Sequence, residues 1–348
     1  MTNLDTSPAQ EVCPAAPEGQ GPCVQLWPER EVPLGGVRAM NVMRTLPQRG
    51  LPTVGAWCFL DSFGPDRVAM SVLPHPHSGL QTVTWPMEGS VRHRDSVGSD
   101  VVVQPGELNI MTAGHGISHS ESSVLGTGAL GTGADGGTGA LVEEIPMSRG
   151  LQLWVALPDE HRHRAPSFEQ VKDLPVAVGE GFRATVMVGE FAGERSPATM
   201  FSPIVGADIT GTGSLDLPLR PDFEHAVLVL DGHVEIDGQE IEAGPLAYLG
   251  AGRSSLAVQA QPDTRFMLLG GEPFGEDLLM WWNFVGRTHE EVEKARTEWE
   301  AEGLLDDAAA ATSRFGFVPG HGPDAGPEAG RIPAPPLPGV KLRPRTRG

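Results

Sequence analysis

Short apolar runs separated by turn signals dominate the chain from residue 55 onward. They fall at 56–59, 80–85, 101–103, 108–111, 151–157, 184–188, 226–230, 246–249, 256–258 and 266–269, with a lone Ile241 between the seventh and the eighth. Runs of this length, rich in Val, Leu and Ile and bounded by Gly or Pro, predict the strands of a β-sandwich or barrel. Segment 234–241 predicts a hairpin, because Asp237-Gly238 supplies the positive φ angles of a two-residue turn. A helical period with its caps occurs over 288–301. There Thr288 and Glu291 form a capping box, Glu290 and Lys294 stand at i,i+4, and Val292, Ala295 and Trp299 make one apolar stripe.

Composition narrows the setting. With 45 Gly and 32 Pro in 348 residues, too few uninterrupted runs remain for an all-helical protein. The balance of 25 Lys and Arg against 45 Asp and Glu, a formal −20, repels a phosphate backbone and argues against direct nucleic-acid binding. No apolar run approaches 18 residues and the first basic residue is Arg30, so neither a membrane span nor a basic-start signal is expected. Cys13, Cys23 and Cys58 are an odd set without a disulfide framework, which fits a reducing cytoplasm. Three stretches have no apolar period and read as solvated: a leader over 1–25, an insertion over 126–140 in which seven of fifteen residues are Gly, and a Pro/Gly-rich tail after 318 ending in Lys341, Arg343, Arg345 and Arg347. The insertion lacks the Lys-Ser/Thr and the following helix of a phosphate loop.

The chain carries an internal repeat. Residues 80–91 match 223–234 on an acidic-Gly turn, at Gly89 and Gly232, and residues 106–114 match 244–252. The first copy is flanked by two donor-rich motifs, His75-Pro-His77 and His119-Ser-Glu121. Alternate residues of an extended chain share a face, so each motif can present two donors to one point: three imidazoles and one carboxylate in all. At the aligned positions the second copy has Pro218, Arg220, Ala257 and Gln259. Donors present in one copy alone are not demanded by the fold.

These motifs carry a resemblance. Residues 74–89 (Pro-His-Pro-His-Ser-Gly-Leu-Gln-Thr-Val-Thr-Trp-Pro-Met-Glu-Gly) and 105–121 (Pro-Gly-Glu-Leu-Asn-Ile-Met-Thr-Ala-Gly-His-Gly-Ile-Ser-His-Ser-Glu) closely resemble the pirin family of the cupin superfamily, as do 150–155, 271–273 and 315–320 in the same order. The resemblance spans roughly residues 30–340 and implies an all-β bicupin, two tandem double-stranded β-helix barrels with a short C-terminal helix. Its domains would be the 1–25 leader, an N-terminal metal-binding barrel over 26–158 with the 126–140 insertion, a metal-free barrel over 159–286, a helical segment over 287–318 and a basic tail over 319–348. It also implies one Fe(II), with Mn, Ni, Co or Zn as competitors, held by His75, His77, His119 and Glu121.

Some pirins are described as quercetin 2,3-dioxygenases. The resemblance thus implies a flavonol-like aromatic substrate and O2, with Glu121 as both ligand and catalytic base. The alternative it carries is a non-enzymatic metal or redox-sensing regulator acting through a protein partner. Two positions depart from the family pattern: Gln81 stands where Glu is common, and His115 where Arg is common, the latter read here as a turn residue. Trp57, Phe59 and Met111 are candidates for the pocket wall, or equally for the barrel core.

Overall fold

A computed structural model describes residues 8, 11–13, 21–34, 40–124, 126–128, 142–322, 325, 326, 329–339, 341 and 342. The strands that build its two barrels are, in chain order, β1 (Gln25–Trp27), β2 (Arg30–Leu34), β3 (Met40–Leu46), β4 (Trp57–Asp66), β5 (Ser71–His77), β6 (Leu80–Glu88), β7 (Val91–Asp95), β8 (Asp100–Val103), β9 (Leu108–Thr112), β10 (Ile117–Ser123) and β11 (Ser148–Ala156). There follow β12 (Ser167–Val171), β13 (Val176–Gly179), β14 (Phe182–Val188), β15 (Ile204–Pro218), β16 (Glu224–Asp231), β17 (His233–Ile236), β18 (Gln239–Glu242), β19 (Leu246–Gly250) and β20 (Ser255–Gly271).

The first barrel pairs a seven-stranded sheet, β12-β9-β6-β11-β4-β3-β2, with a four-stranded one, β5-β10-β7-β8. The second is a single sheet in the order β13-β14-β15-β20-β16-β19-β1, with the β17-β18 hairpin laid on β20. An exchange at the edges ties them. β1 precedes the first barrel yet pairs with β19 of the second, and β12 completes the first barrel from the segment that follows it. Asp237 and Gly238 have φ of 50° and 78°, as the hairpin requires.

Most of the apolar runs reflect strands buried on both faces; 101–103 and 256–258 instead alternate, with Val102 and Ala257 exposed. Along the second barrel Val227, Val229, Ala247, Leu249, Phe266 and Leu268 fill its own interior. Their alternates Ala226, Leu228, Leu246, Tyr248, Met267 and Leu269 join Leu80, Val83, Trp85 and Leu153 in a core shared by the two barrels. With both sets apolar, the period of two vanishes from the sequence. The runs at 256–258 and 266–269 are one strand, β20, paired along its length with β15 across a register shift at Gly211 and Gly213. β5, β7 and β10 have no apolar run to announce them, because their inward positions are polar.

Near the C-terminal end, α1 (His289–Glu302) starts at Thr288, whose hydroxyl accepts from the Glu291 N–H. Its buried Val292, Ala295 and Trp299 pack on Leu279, Trp281, Phe284 and Phe315. Lys294 pairs with Glu298, not with Glu290, which takes Lys341 instead. A four-residue turn of helix, α2 (Asp307–Ala310), follows.

The reading of 319–348 as solvated is corrected over its described part. His321, Ala334 and Leu342 are buried, and the Ile332 N–H donates to the Pro74 carbonyl beside the first histidine motif. Arg343, Arg345 and Arg347 lie outside the described residues, as do 129–140 of the insertion and most of the leader; from the leader, Glu11–Cys13 pairs with Leu278–Met280.

Candidate metal centre

β5 and β10 are antiparallel neighbours, with Ile117 opposite His77 and His119 opposite His75. Opposed residues share a face of the ladder, so the two histidine motifs meet by register. Gly79 and Gly114 fix the strand ends: both have positive φ, their backbones bond to each other at 2.8 Å, and a Cβ on either would clash with the Val285 or Arg164 carbonyl oxygen. From outside, the C-terminal segment braces β10. The Ser118 N–H and hydroxyl donate to the Phe315 and Gly316 carbonyls, and His321 lies 2.8 Å from the Ser120 hydroxyl. This leaves His119 and Glu121 facing inward.

The ring centroids of His75, His77 and His119 are 4.3–5.1 Å apart, and their ring nitrogens approach within 4.8 Å of one another. His75 donates through Nδ1 to the Leu73 carbonyl at 2.8 Å, which leaves its Nε2 lone pair directed elsewhere. The Nε2 atoms of His75 and His119 are buried without a hydrogen-bond partner. Buried nitrogens left without partners cost stability, and a cation is what three such lone pairs at one point accommodate. Burial lowers the His75 pKa to about 4 and holds His77 and His119 well below the usual histidine range, with the neighbouring imidazoles adding to the effect. The set is thus neutral and ready to donate at pH 7.

Glu121 is placed differently from the sequence expectation. The ladder between β5 and β10 shifts at this point, setting Glu121 opposite Val72 on one side and His93 of β7 on the other. Its carboxylate belongs to a second cluster of close donors, His93, His119 and Glu121, and His119 is common to both. The Thr84 hydroxyl lies 3.4 Å from Glu121 Oε1 and 3.1 Å from Gln152 Oε1. Thr84 also stands between Asn109 and Gln152 in the ladders, so a buried polar row, Asn109–Thr84–Gln152, runs across the inner face beside Glu121. The Asn109 amide and Gln152 Nε2 have no partner there.

None of Thr84, His93, Asp95, Asn109 or Gln152 stood out in the sequence. The available signal was His93-x-Asp95, which has the same alternation of imidazole and carboxylate as His119-x-Glu121.

Other candidates fall away from the site. The Trp57 indole N–H donates to the Val205 carbonyl and seals the barrel interface. Phe59 stacks on Trp154 at 4.0 Å, and Trp154 in turn meets His77 edge-on at 5.2 Å, so Phe59 is one ring removed. Met111 is buried in the shared core. His115 is an exposed turn residue whose N–H and Nδ1 lie on the Arg164 carbonyl.

The ladders also correct the alignment of the two repeats. Leu215 opposes Val258 as His75 opposes His119, Leu217 opposes Leu256 as His77 opposes Ile117, and Val234 opposes Ala260 as His93 opposes Glu121. The inward counterparts of the donors are therefore Leu215, Leu217, Val258 and Ala260, all buried, while Pro218, Arg220, Ala257 and Gln259 point outward. The donor asymmetry between the barrels stands.

Comparison with known proteins agrees with this two-barrel layout. The family described as Pirin matches residues 37–155, and the Pirin C-terminal cupin domain matches 204–304. The chain belongs to the pirin family. Among pirin relatives, a Pseudomonas aeruginosa protein named "putative quercetin 2,3-dioxygenase" is 39% identical over 92% of this chain and 93% of its own. A pirin-like protein of Caulobacter vibrioides is 35% identical over 75% of this chain and 88% of its own. A solved quercetin 2,3-dioxygenase from Acinetobacter baumannii is 36% identical and superposes with a TM-score of 0.77, covering 92% of this chain and 98% of its own.

Proposed function

We propose that the N-terminal barrel holds one divalent metal ion on His75, His77, His119 and Glu121, and that the protein is an iron(II)-dependent oxygenase of the quercetin 2,3-dioxygenase type, opening a flavonol-like aromatic substrate with O2. The observation that carries the proposal is the meeting of three neutral, buried imidazoles with unpartnered Nε2 atoms on His75 and His119. The names of the Pseudomonas and Acinetobacter relatives support the reaction class.

A bound divalent metal would supply Lewis acidity to the substrate oxygen. This chain's residues do the rest. Glu121 takes the proton of the substrate hydroxyl, and the Thr84 hydroxyl beside Oε1 steadies the carboxylate. The unpartnered amide atoms of Asn109 and Gln152 give the substrate's further hydroxyls hydrogen-bond partners inside the barrel. Burial of the four donors keeps bulk water from the reacting group.

The test is anaerobic addition of quercetin to Fe(II)-loaded protein, then oxygen. Depside and carbon monoxide in equal amounts are expected from wild type, and none from Glu121→Gln. Absence of turnover across several flavonols and metals removes the oxygenase reading while leaving the metal site open to a regulatory role.

A further inference from the structure

We infer that His93 and Asp95 set the tautomer of His119 and so prepare it as a donor, His93 being a positioning residue and not itself a ligand; this rests on His119 belonging to the proposed metal site. The chain of contacts starts at the turn after β7. Asp95 Oδ1 accepts the N–H groups of Val97 at 3.0 Å and Ser99 at 2.9 Å, and its Oδ2 faces His93 Nε2 at 3.1 Å. An ionised carboxylate has only acceptor sites, so the Oδ2 contact requires His93 Nε2 to carry the hydrogen.

In a neutral imidazole that leaves Nδ1 of His93 with a lone pair. It lies 3.3 Å from Nδ1 of His119. Two lone pairs would repel at that distance, so His119 Nδ1 carries the hydrogen and donates it. His119 Nε2 is then a bare lone pair, and it is the atom buried without a partner.

Every atom of the relay is held. His93, Asp95 and His119 are at most 2% exposed, and Phe168 from β12 stacks on the His93 ring at 4.5 Å and 21°. The same order of hydrogens removes His93 from the donor set. His93 spends Nε2 on Asp95 and Nδ1 on His119, so it has nothing left for a metal, although it lies within reach of Glu121. The second barrel supplies the control: Val234 and Ile236 occupy the places of His93 and Asp95 where Val258 occupies that of His119. The relay is missing where there is no donor to orient.

Asp95→Asn tests this with little change of shape. Asn keeps an oxygen for the two N–H groups but turns an amide N–H toward His93 Nε2. That reverses the relay: Nε2 of His93 accepts, Nδ1 donates, and His119 is pushed to the Nε2–H form. In metal-free protein, long-range proton–nitrogen NMR on the imidazoles should show His119 as Nδ1–H in wild type and Nε2–H in Asp95→Asn. Cobalt(II) affinity, read by chelator competition on the d–d spectrum, should fall about 10- to 100-fold in the variant. The inference is overturned by an Nε2–H His119 in wild type, by unchanged cobalt affinity in a folded Asp95→Asn, or by a cobalt-bound His93. The wild-type NMR measurement decides the matter even where the variant does not fold. Neither readout depends on oxygen chemistry, so failure of the oxygenase proposal and failure of the relay remain distinguishable.

Discussion

The two barrels repeat one topology around interiors of opposite character. In the second, six inward positions hold Leu215, Leu217, Val234, Ile236, Val258 and Ala260, all in one apolar core. In the first, the same positions hold His75, His77, His93, Asp95, His119 and Glu121, all at most 2% exposed. The neighbouring row differs in the same sense, with Asn109, Thr84 and Gln152 facing Ala247, Val227 and Leu268 across the repeat. The apolar version shows that closing the barrel needs no polar residue at these positions. Each partnerless buried polar atom in the first barrel costs about 1–3 kcal/mol of stability, so its polar interior is maintained against folding and for a ligand. The first barrel offsets that cost by leaning on its neighbour through the shared core.

The largest expected effect follows from breaking the first barrel's side of the comparison. His75→Ala or His119→Ala should take the protein from one bound divalent ion to none by elemental analysis, while His225→Ala, in the second barrel, leaves the stoichiometry at one. Apolar replacement pushes the contrast further: His75→Leu copies the second barrel at that position and should leave the metal-free protein as stable as wild type or more so, measured by urea unfolding. A metal-free His75→Leu markedly less stable than wild type would mean that the histidines are structural.

On the other side, Leu217→Ala in the second barrel should cost about 2–5 kcal/mol through lost transfer energy and the cavity left behind. Metal content should stay at one per chain. If metal is lost as well, the barrels are not independent in the way their interiors imply.

The same contrast explains what could be read in advance. The strands of the second barrel and of the shared core were visible as apolar runs, since burial on both faces writes itself into the sequence. The donors were visible for a different reason: His75-x-His77 and His119-x-Glu121 set metal-ligating residue types at alternate positions, and the second repeat lacks them. His93 and Asp95 were not, because they sit among the charged residues of Val91–Asp95 and look like the outer face of a hairpin. Only the cross-strand register of β7 on β10 turns them inward. The outward shift of Pro218 and Arg220 was hidden likewise, because sequence alignment on Gly89 and Gly232 ignores the longer connection between β15 and β16. The packed part of the tail was concealed by composition, since Pro-rich chain can strap a surface without any period of its own.

Acid sharpens the comparison by a smaller amount. His75 in the first barrel and His225 in the second are both pushed down to about 4 by burial. Below about pH 6.5 the unfolded chain takes up protons that these folded histidines refuse, so the stability they contribute falls as the pH drops from about 6.5 to about 4. His75 alone contributes on the order of 3 kcal/mol to that loss at about 1.4 kcal/mol per unit of pKa. A divalent ion at 100 times its Kd should add about 2.7 kcal/mol near neutrality and progressively less toward pH 5, as protons compete for the donors. In thermal unfolding across this range, His225→Phe should reduce the acid sensitivity and leave the metal increment unchanged; a metal increment that does not decline with acid would place the ion elsewhere than on histidine.

The smallest effect concerns one pair of equivalent residues at the barrel interface. Gln81 and Glu224 occupy matching places, eight residues before Gly89 and Gly232. Each reaches into the opposite half of the molecule. Glu224 meets two donors, the Gly55 N–H across the interface at 2.5 Å and the Tyr248 hydroxyl of its own barrel at 2.6 Å, which suit a carboxylate. Gln81 meets the Thr112 hydroxyl and an acceptor, the Thr199 carbonyl, both at 3.0 Å from its Nε2. An ionised carboxylate in its place could not donate to that carbonyl. The departure from the family's usual Glu is therefore matched by local hydrogen bonding, and Gln81→Glu should cost about 1–3 kcal/mol by setting a buried carboxylate against a carbonyl oxygen. Glu224→Gln should cost a similar amount in mirror image, by turning an amide N–H toward donors. Equilibrium unfolding of the two single variants measures both, with cobalt affinity expected to remain within threefold of wild type, about 0.7 kcal/mol. A tighter metal in Gln81→Glu would instead mean that the new carboxylate swings into the first barrel's interior, and that position 81 tunes the site after all.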